Sequence, residues 1–196
     1  MGSGMPEKDG YVSKQLIDFH LARVKGGCGL NIIENSAIRE DTKAPHVLGI
    51  YDDRFLPGLM ELTGKIHEAG GKACIQIWHA GRQTRSSLSG YPVIGPSPIP
   101  CPVNRETPKE MSVEEIKDLV DAFADAADRA KRAGFDAIEM HGAHGYLITQ
   151  FMSPFSNQRT DEYGGPLSNR IRFPIEIIKA IRKRVGEEYP VLFRMS

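Results

Sequence analysis

The sequence predicts an α/β protein built on a parallel sheet, and three observations carry that prediction. Amphipathic helical stretches alternate with short β-branched runs from one end of the chain to the other, and successive runs are far enough apart for a helix to cross between them, which favours parallel strands with right-handed connections. The polar and ring-bearing residues that break the apolar pattern collect at the carboxyl ends of those runs, where parallel α/β folds bind their ligands. The composition is that of a globular chain: 40% of the 196 residues are hydrophobic and 26% charged, enough for one core.

The elements follow in order. Residues 11–25 place Val12, Leu16, Phe19 (with His20) and Val24 at helical spacing and stop at Gly26-Gly27. Residues 30–33, Leu-Asn-Ile-Ile, form a short first strand, with Glu34-Asn35-Ser36 just after it. A second helix over 52–69 lines up Phe55, Leu56, Leu59, Leu62 and Ile66 and closes at Gly70-Gly71; a second strand follows over 73–78. The connection 79–111 carries Pro92, Pro96, Pro98, Pro100, Pro102 and Pro108, which excludes a regular helix or an interior strand, and long ordered loops are usually functional. Ser112-Val113-Glu114-Glu115 opens a capping box, and Ile116, Leu119, Val120, Phe123, Ala127 and Ala130 continue that helix's apolar face to Gly134. The third strand is expected over 135–140, a further amphipathic helix over 168–185 and the fourth strand over 190–195. No repeat and no linker divides the chain.

Several function classes recede at this point. The chain has 25 basic and 25 acidic residues and no block of like charge, so it carries no electrostatic footprint for nucleic acid or an anionic membrane surface. No apolar run is long enough to cross a bilayer. Met1-Gly2-Ser3-Gly4 lacks the apolar core of a secretory signal and reads as an expression remnant. Cys28, Cys74 and Cys101 are too widely spaced for a disulfide framework or a C-x-x-C motif, which fits a reducing, cytoplasmic compartment. Cys28 and Cys74 read as packing residues, since neither has an activating partner nearby in sequence. Gly26-Gly27-Cys28-Gly29 lies between a helix and a following strand, the reverse of the order that aims helix amides at phosphate, and reads as a turn.

The strand ends hold the chemistry. His141, His144 and Tyr146 bring two imidazoles and a phenol to the end of the third strand. Paired imidazole N–H groups can hold a carbonyl or carboxylate oxygen, and a phenol keeps its proton at neutral pH. The same trio also fits a strand cap, a loop residue and half-buried packing, so both readings stand at this stage. No metal is expected, because no carboxylate or cysteine completes a ligand spacing with the histidines. Gln76, an amide in an apolar strand, must be paired, and its edge suits a flat heterocycle as well as a backbone bond. Arg194 on the fourth strand needs an anion, an electron-rich acceptor or a salt bridge. Arg159, Asp161 and Glu162 read as a polar loop network, with Gly164-Gly165 as a turn.

The motifs then carry a resemblance. Gln76-Ile77-Trp78-His79-Ala80-Gly81-Arg82, the stretch Glu139-Met140-His141-Gly142-Ala143-His144-Gly145-Tyr146-Leu147, Phe151-Met152-Ser153-Pro154 and the run from Asn157 to Gly165 resemble the Old Yellow Enzyme family of NADH:flavin oxidoreductases, closest to its 2-enoate reductase and 2,4-dienoyl-CoA reductase branch. The resemblance implies an eight-stranded (β/α)8 TIM barrel, of which residues 5–196 would be the N-terminal part of an FMN-binding domain: about four parallel strands with their helices, without the first and last strands. It implies an NAD(P)H-dependent flavin ene-reductase that reduces the activated C=C bond of an α,β-unsaturated acid, thioester or ketone. By matching position, Gln76 would bond the flavin pyrimidine edge, Arg194 would sit by the N1/C2 carbonyl region, and Asn35 would contact flavin where relatives often carry a small residue. His141 and His144 would bind the activating carbonyl or carboxylate and Tyr146 would donate the proton. The cofactors implied are FMN with NAD(P)H as donor, with an iron-sulfur cluster and FAD only in domains that some relatives add. The partner implied is a small unsaturated substrate. The competing reading is a catalytically silent half-barrel that assembles as a homo-oligomer or with a complementary chain.

Overall fold

Caps and apolar faces set the helices, and a computed structural model describing residues 2–196 shows how they stack. Ser13 accepts the Leu16 amide at the start of α1 (Lys14–Lys25), and the chain continues through β1 (Leu30–Ala37), β2 (Leu48–Gly49), α2 (Leu56–Glu68), β3 (Lys72–Trp78), α3 (Ser86–Ser89), β4 (Ile94–Gly95) and β5 (Lys109–Glu110). It ends with α4 (Val113–Arg132), β6 (Ala137–Gly142), α5 (Leu147–Met152), α6 (Leu167–Arg170), α7 (Arg172–Val185) and β7 (Val191–Met195). The capping box of α4 forms as predicted: Ser112 and Glu115 satisfy each other's backbone amides.

The main sheet runs β2-β1-β3-β6-β7, with every pair parallel. The four long strands follow chain order without a reversal, so each crossover turns the same way. That is the arc of a barrel, whereas a doubly wound sheet reverses its strand order. The two faces differ accordingly. Ile33, Ile75, Ile77, Ile138 and Met140 join the helix-side core with Leu59, Leu62, Ile66, Leu119, Phe123, Phe173 and Ile177. Strand alternation places Cys74, Gln76, Trp78, Glu139, His141 and Arg194 on the opposite, concave face.

Several elements differ from those read in the sequence; α1 starts at Lys14 and not at 11, and the helix expected over 52–69 is α2 preceded by a 3-10 turn over Asp53–Phe55. β1 does not end at Ile33 but runs on to Ala37, because a register shift between Ile33 and Asn35 keeps the polar residues in the ladder. That shift pairs Asn35 with Gln76 and so turns Asn35 to the concave face; an unbroken register would have sent it toward the helices. β6 starts later and ends later than expected, so His141 lies within the strand. The expected 168–185 helix is two pieces, α6 and α7, meeting at Ile171. The proline-rich connection holds the short α3 and a two-stranded sheet of β4 and β5. β2 and α5 are too short for a periodic signal.

Two smaller expectations also change. In α1 it is His20 that is buried, bonded to Asn31 through Nδ1 at 2.8 Å, while Phe19 lies under the Arg23 guanidinium. Cys28 is exposed and not packed; Cys74 is buried, and burial, with Glu139 nearby, pushes its thiol up to about 12.

Candidate active site

The richest site lies where the ends of β1, β3 and β6 converge. β6 is buried along its whole length and delivers His141 at 4% exposure. The Ala143 amide donates to His141 Nδ1 at 3.3 Å, so the neutral ring carries its hydrogen on Nε2. Burial first, then the positive charge of His144 and Arg194, pushes the His141 pKa down to about 4. The ring is therefore an uncharged donor at neutral pH.

After β6 the chain doubles back. His144 and Gly145 both take left-handed backbone angles, φ +58° and +73°, and the reversal returns Tyr146 beside His141. The His141 ring lies 5.1 Å from that of His144 and 4.9 Å from that of Tyr146, with His144 and Tyr146 6.5 Å apart. Trp78 at the end of β3 meets the Tyr146 ring edge-on at 5.2 Å. A cavity of about 480 Å³ opens onto Asn35, Gln83, His141, His144 and Tyr146, with Gly2 at its rim. The first residues cross beside it: the Ser3 amide donates to the Glu34 carboxylate at 2.8 Å.

Gln76 and Arg194 stand on the same concave face. Gln76 is 1% exposed and donates through Nε2 to Glu139, while its Oε1 is buried without a partner. Arg194 is in register with His141 and makes no ion pair among the described residues. The structure thus gathers His141, His144, Tyr146 and Asn35 around one cavity, with Gln76 and Arg194 on the face that leads to it.

Sequence reasoning gave no role to three neighbours. Glu139 partners Gln76. Gln83 lines the cavity and donates to the His144 carbonyl at 2.6 Å. Gln150 is 1% exposed and ties together the loops that follow β3 and β6. A buried amide in the apolar run Leu-Ile-Thr-Gln-Phe-Met of α5 is the signal that singled out Gln76, and it would have found Gln150. Gln83 sits in the connection without periodicity, where no such signal exists. Arg159 does form the expected loop network: it is 7% exposed, pairs with Asp161 and donates to the carbonyls of Pro96 and Met111.

A second cleft, of about 250 Å³, is bordered by Lys8, Glu40, Lys43, Tyr51 and Arg54. Lys43 pairs with Glu40 at 2.8 Å and Arg54 donates to the Tyr51 hydroxyl at 3.0 Å, so its charged groups are largely spent on one another. No helix among the described residues is long and apolar enough to cross a membrane.

The sequence and the fold match those of known proteins. The chain is 46% identical over 199 aligned positions to an NADH oxidase of Thermoanaerobacter brockii, covering all of this chain and 31% of that one. The fold superposes on a 2-naphthoyl-CoA reductase in complex with 2-naphthoyl-CoA with a TM-score of 0.92 at 33% identity, over 97% of this chain and 31% of that one. An Old Yellow Enzyme homologue from Zymomonas mobilis gives 0.88 at 29% identity, over 98% and 56%. The chain thus spans about a third to about half the length of these relatives. A family model described as the NADH:flavin oxidoreductase / NADH oxidase family matches residues 2–196, a span that takes in Gly2, Ser3 and Gly4. With the parallel arc and the strand-end residues in place, the chain belongs to that family of flavin oxidoreductases, the one that includes the Old Yellow Enzymes.

Proposed function

We propose that the chain forms the substrate-facing part of an FMN-dependent oxidoreductase that reduces the activated C=C bond of an α,β-unsaturated acid, thioester or ketone with electrons from NAD(P)H. The observation that carries this reading is the trio at one cavity: a neutral imidazole donor, a second imidazole and a phenol, with rings 4.9 to 6.5 Å apart. The 2-naphthoyl-CoA bound by one structural relative supports a thioester within the substrate class.

The residues present fit a flavin. The unpartnered Oε1 of Gln76 is a buried acceptor aligned with Asn35 across the sheet, and a flat heterocycle offering an N–H would satisfy it. Arg194, with no acidic partner among the described residues, suits an electron-rich ring edge. FMN bound there would supply the hydride chemistry, passing electrons from NAD(P)H to the substrate's β-carbon. His141, through Nε2–H, and His144 hold the substrate carbonyl oxygen and stabilise the charge that grows on it. Tyr146 delivers the proton to the α-carbon, completing the addition of two hydrogens across the double bond.

Anaerobic stopped-flow on the full-length, flavin-loaded protein tests this. In Tyr146→Phe, substrate reduction should slow by about 10²-fold or more, the range expected of a general acid, while flavin reduction by NAD(P)H stays close to wild type. Equal loss in both half-reactions would remove Tyr146 from the proton-donor role.

A second reading has one observation in its favour. Leu30 and Ile32 on β1 are each 42% exposed, and alternation puts both on the concave face, as a module that pairs with itself or with a complementary chain would have them. Light scattering that finds a stable, folded monomer would reject self-assembly.

A further inference from the structure

We propose that Gln83 and Gln150 form a reciprocal clamp, each amide laid across a glycine of the other loop, and that this clamp positions His144 and Tyr146 against His141. Gln150, on the β6 side, lies over Gly81, on the β3 side: a Cβ added to Gly81 would overlap the Gln150 amide. Gln83, on the β3 side, lies over Gly145, on the β6 side, where an added Cβ would come within 2.9 Å of Gln83 Nε2. Both glycines have positive φ, +57° and +73°, so each is suited to its place by backbone angle and by space.

The hydrogen bonds run both ways across the same gap. Gln150 Nε2 donates to the carbonyls of Ala80 and Gly145 at 3.1 and 2.8 Å, and its Oε1 accepts from the Arg82 amide at 3.1 Å. One amide thereby pairs backbone groups of both loops. Gln83 Nε2 donates to the His144 carbonyl, and the Leu147 amide donates to the His79 carbonyl at 3.1 Å. The residues held are therefore 144, 145 and 147, on either side of Tyr146.

The β3 side of the clamp is itself anchored. His79, whose side chain is 1% exposed, meets Asp41 at 3.0 Å through Nε2 and accepts the Gly81 amide at Nδ1. Burial would raise the Asp41 carboxyl, but Arg39 and His79 outweigh it and hold it well below the usual carboxylate range. The Ala80 amide donates to Thr42. The loop after β1 thus fixes the loop after β3, which fixes the turn after β6.

His144 is what makes the arrangement more than packing. A non-glycine residue at φ +58° is disfavoured; its amide donates to Ser196 Oγ at 3.1 Å, and the Gln83 bond to its carbonyl is what ties it to the β3 side. Released, His144 can relax toward ordinary backbone angles, and its ring would leave His141. Both glutamines are positioning residues.

The Gln83 series tests the clamp, because Gln83 is half-buried at the cavity and its loss spares the core. The clamp is an assignment about positions; only its kinetic arm rests on the function proposed above. In the full-length protein, NMR titration of the His141 ring reads the nearness of His144 directly. Gln83→Met, of similar shape but without the donor, should raise the His141 midpoint by about half a pH unit or more as the like charge recedes. Gln83→Lys keeps a donor within reach of the His144 carbonyl but adds a like charge of its own beside His141, so that variant is read by substrate reduction alone. Substrate reduction by Gln83→Met should fall about tenfold, in line with the cost of misplacing reacting groups, with partial recovery in Gln83→Lys. An unchanged His141 midpoint in Gln83→Met would overturn the proposal, even if the thermal midpoint dropped. A shifted midpoint in a protein that reduces no activated alkene would uphold the clamp and reject the assigned reaction.

Discussion

His141 can serve as an uncharged hydrogen-bond donor over a wide pH range because burial first, and then repulsion from charge on its neighbours His144 and Arg194, disfavours its protonation. Its pKa of about 4 lies below the ordinary 6.5, so between those values the unfolded chain binds a proton that the folded ring refuses. The stability tied to this residue is thus complete above pH 6.5 and is lost as the pH falls toward 4, by an amount on the order of 3 kcal/mol. Urea denaturation of wild type and His141→Gln at pH 7 and pH 5 checks this: the wild type should lose more stability than the variant over that interval, and equal losses would contradict it. Most of the site could be read at the residue scale. Gln76 interrupts an apolar strand, and His141, His144 and Tyr146 cluster at the end of another, so each stood out in the sequence. Gln83 did not, because its importance comes from a bond to the His144 carbonyl, 61 residues away.

At the scale of elements, local signals succeeded where they were complete within a few residues. The α4 capping box was legible because Ser112 and Glu115 are its whole mechanism, and Ser112→Ala should cost about 1 kcal/mol in urea denaturation. β1 was misjudged because Glu34-Asn35-Ser36 looks like a strand end, while the register shift that retains those residues is set by pairing with β3. β2 depends on a close approach that no pattern announces: a Cβ on Gly49 would strike the Phe55 ring. Gly49→Ala should therefore destabilise by about 1–3 kcal/mol, the usual cost of overpacking, and a thermal midpoint equal to wild type would show that the ring has room to move.

The whole molecule is an arc of parallel strands whose helix side is a dry core and whose concave side carries polar chemistry. The division follows from strand alternation, which is why the fold class was legible. Sequential strand order came from the motifs and not from the periodicity: the helix–strand pattern alone serves a barrel arc and a doubly wound sheet, the family resemblance implied the barrel, and the hydrogen-bonded ladders show that order. The same concave side brings the ends of β1, β3 and β6 to one cavity, so the chemistry assigned to His141, His144 and Tyr146 depends on this curvature. The most direct measurement is the reduction of an α,β-unsaturated carbonyl substrate with NAD(P)H in D2O by the full-length, flavin-loaded protein, with the product analysed by NMR and mass spectrometry. A saturated product carrying one solvent deuterium at the α-carbon, formed about 10²-fold more slowly by Tyr146→Phe, is the predicted result. No reduction of the double bond, or a product formed equally fast by the variant, would contradict it.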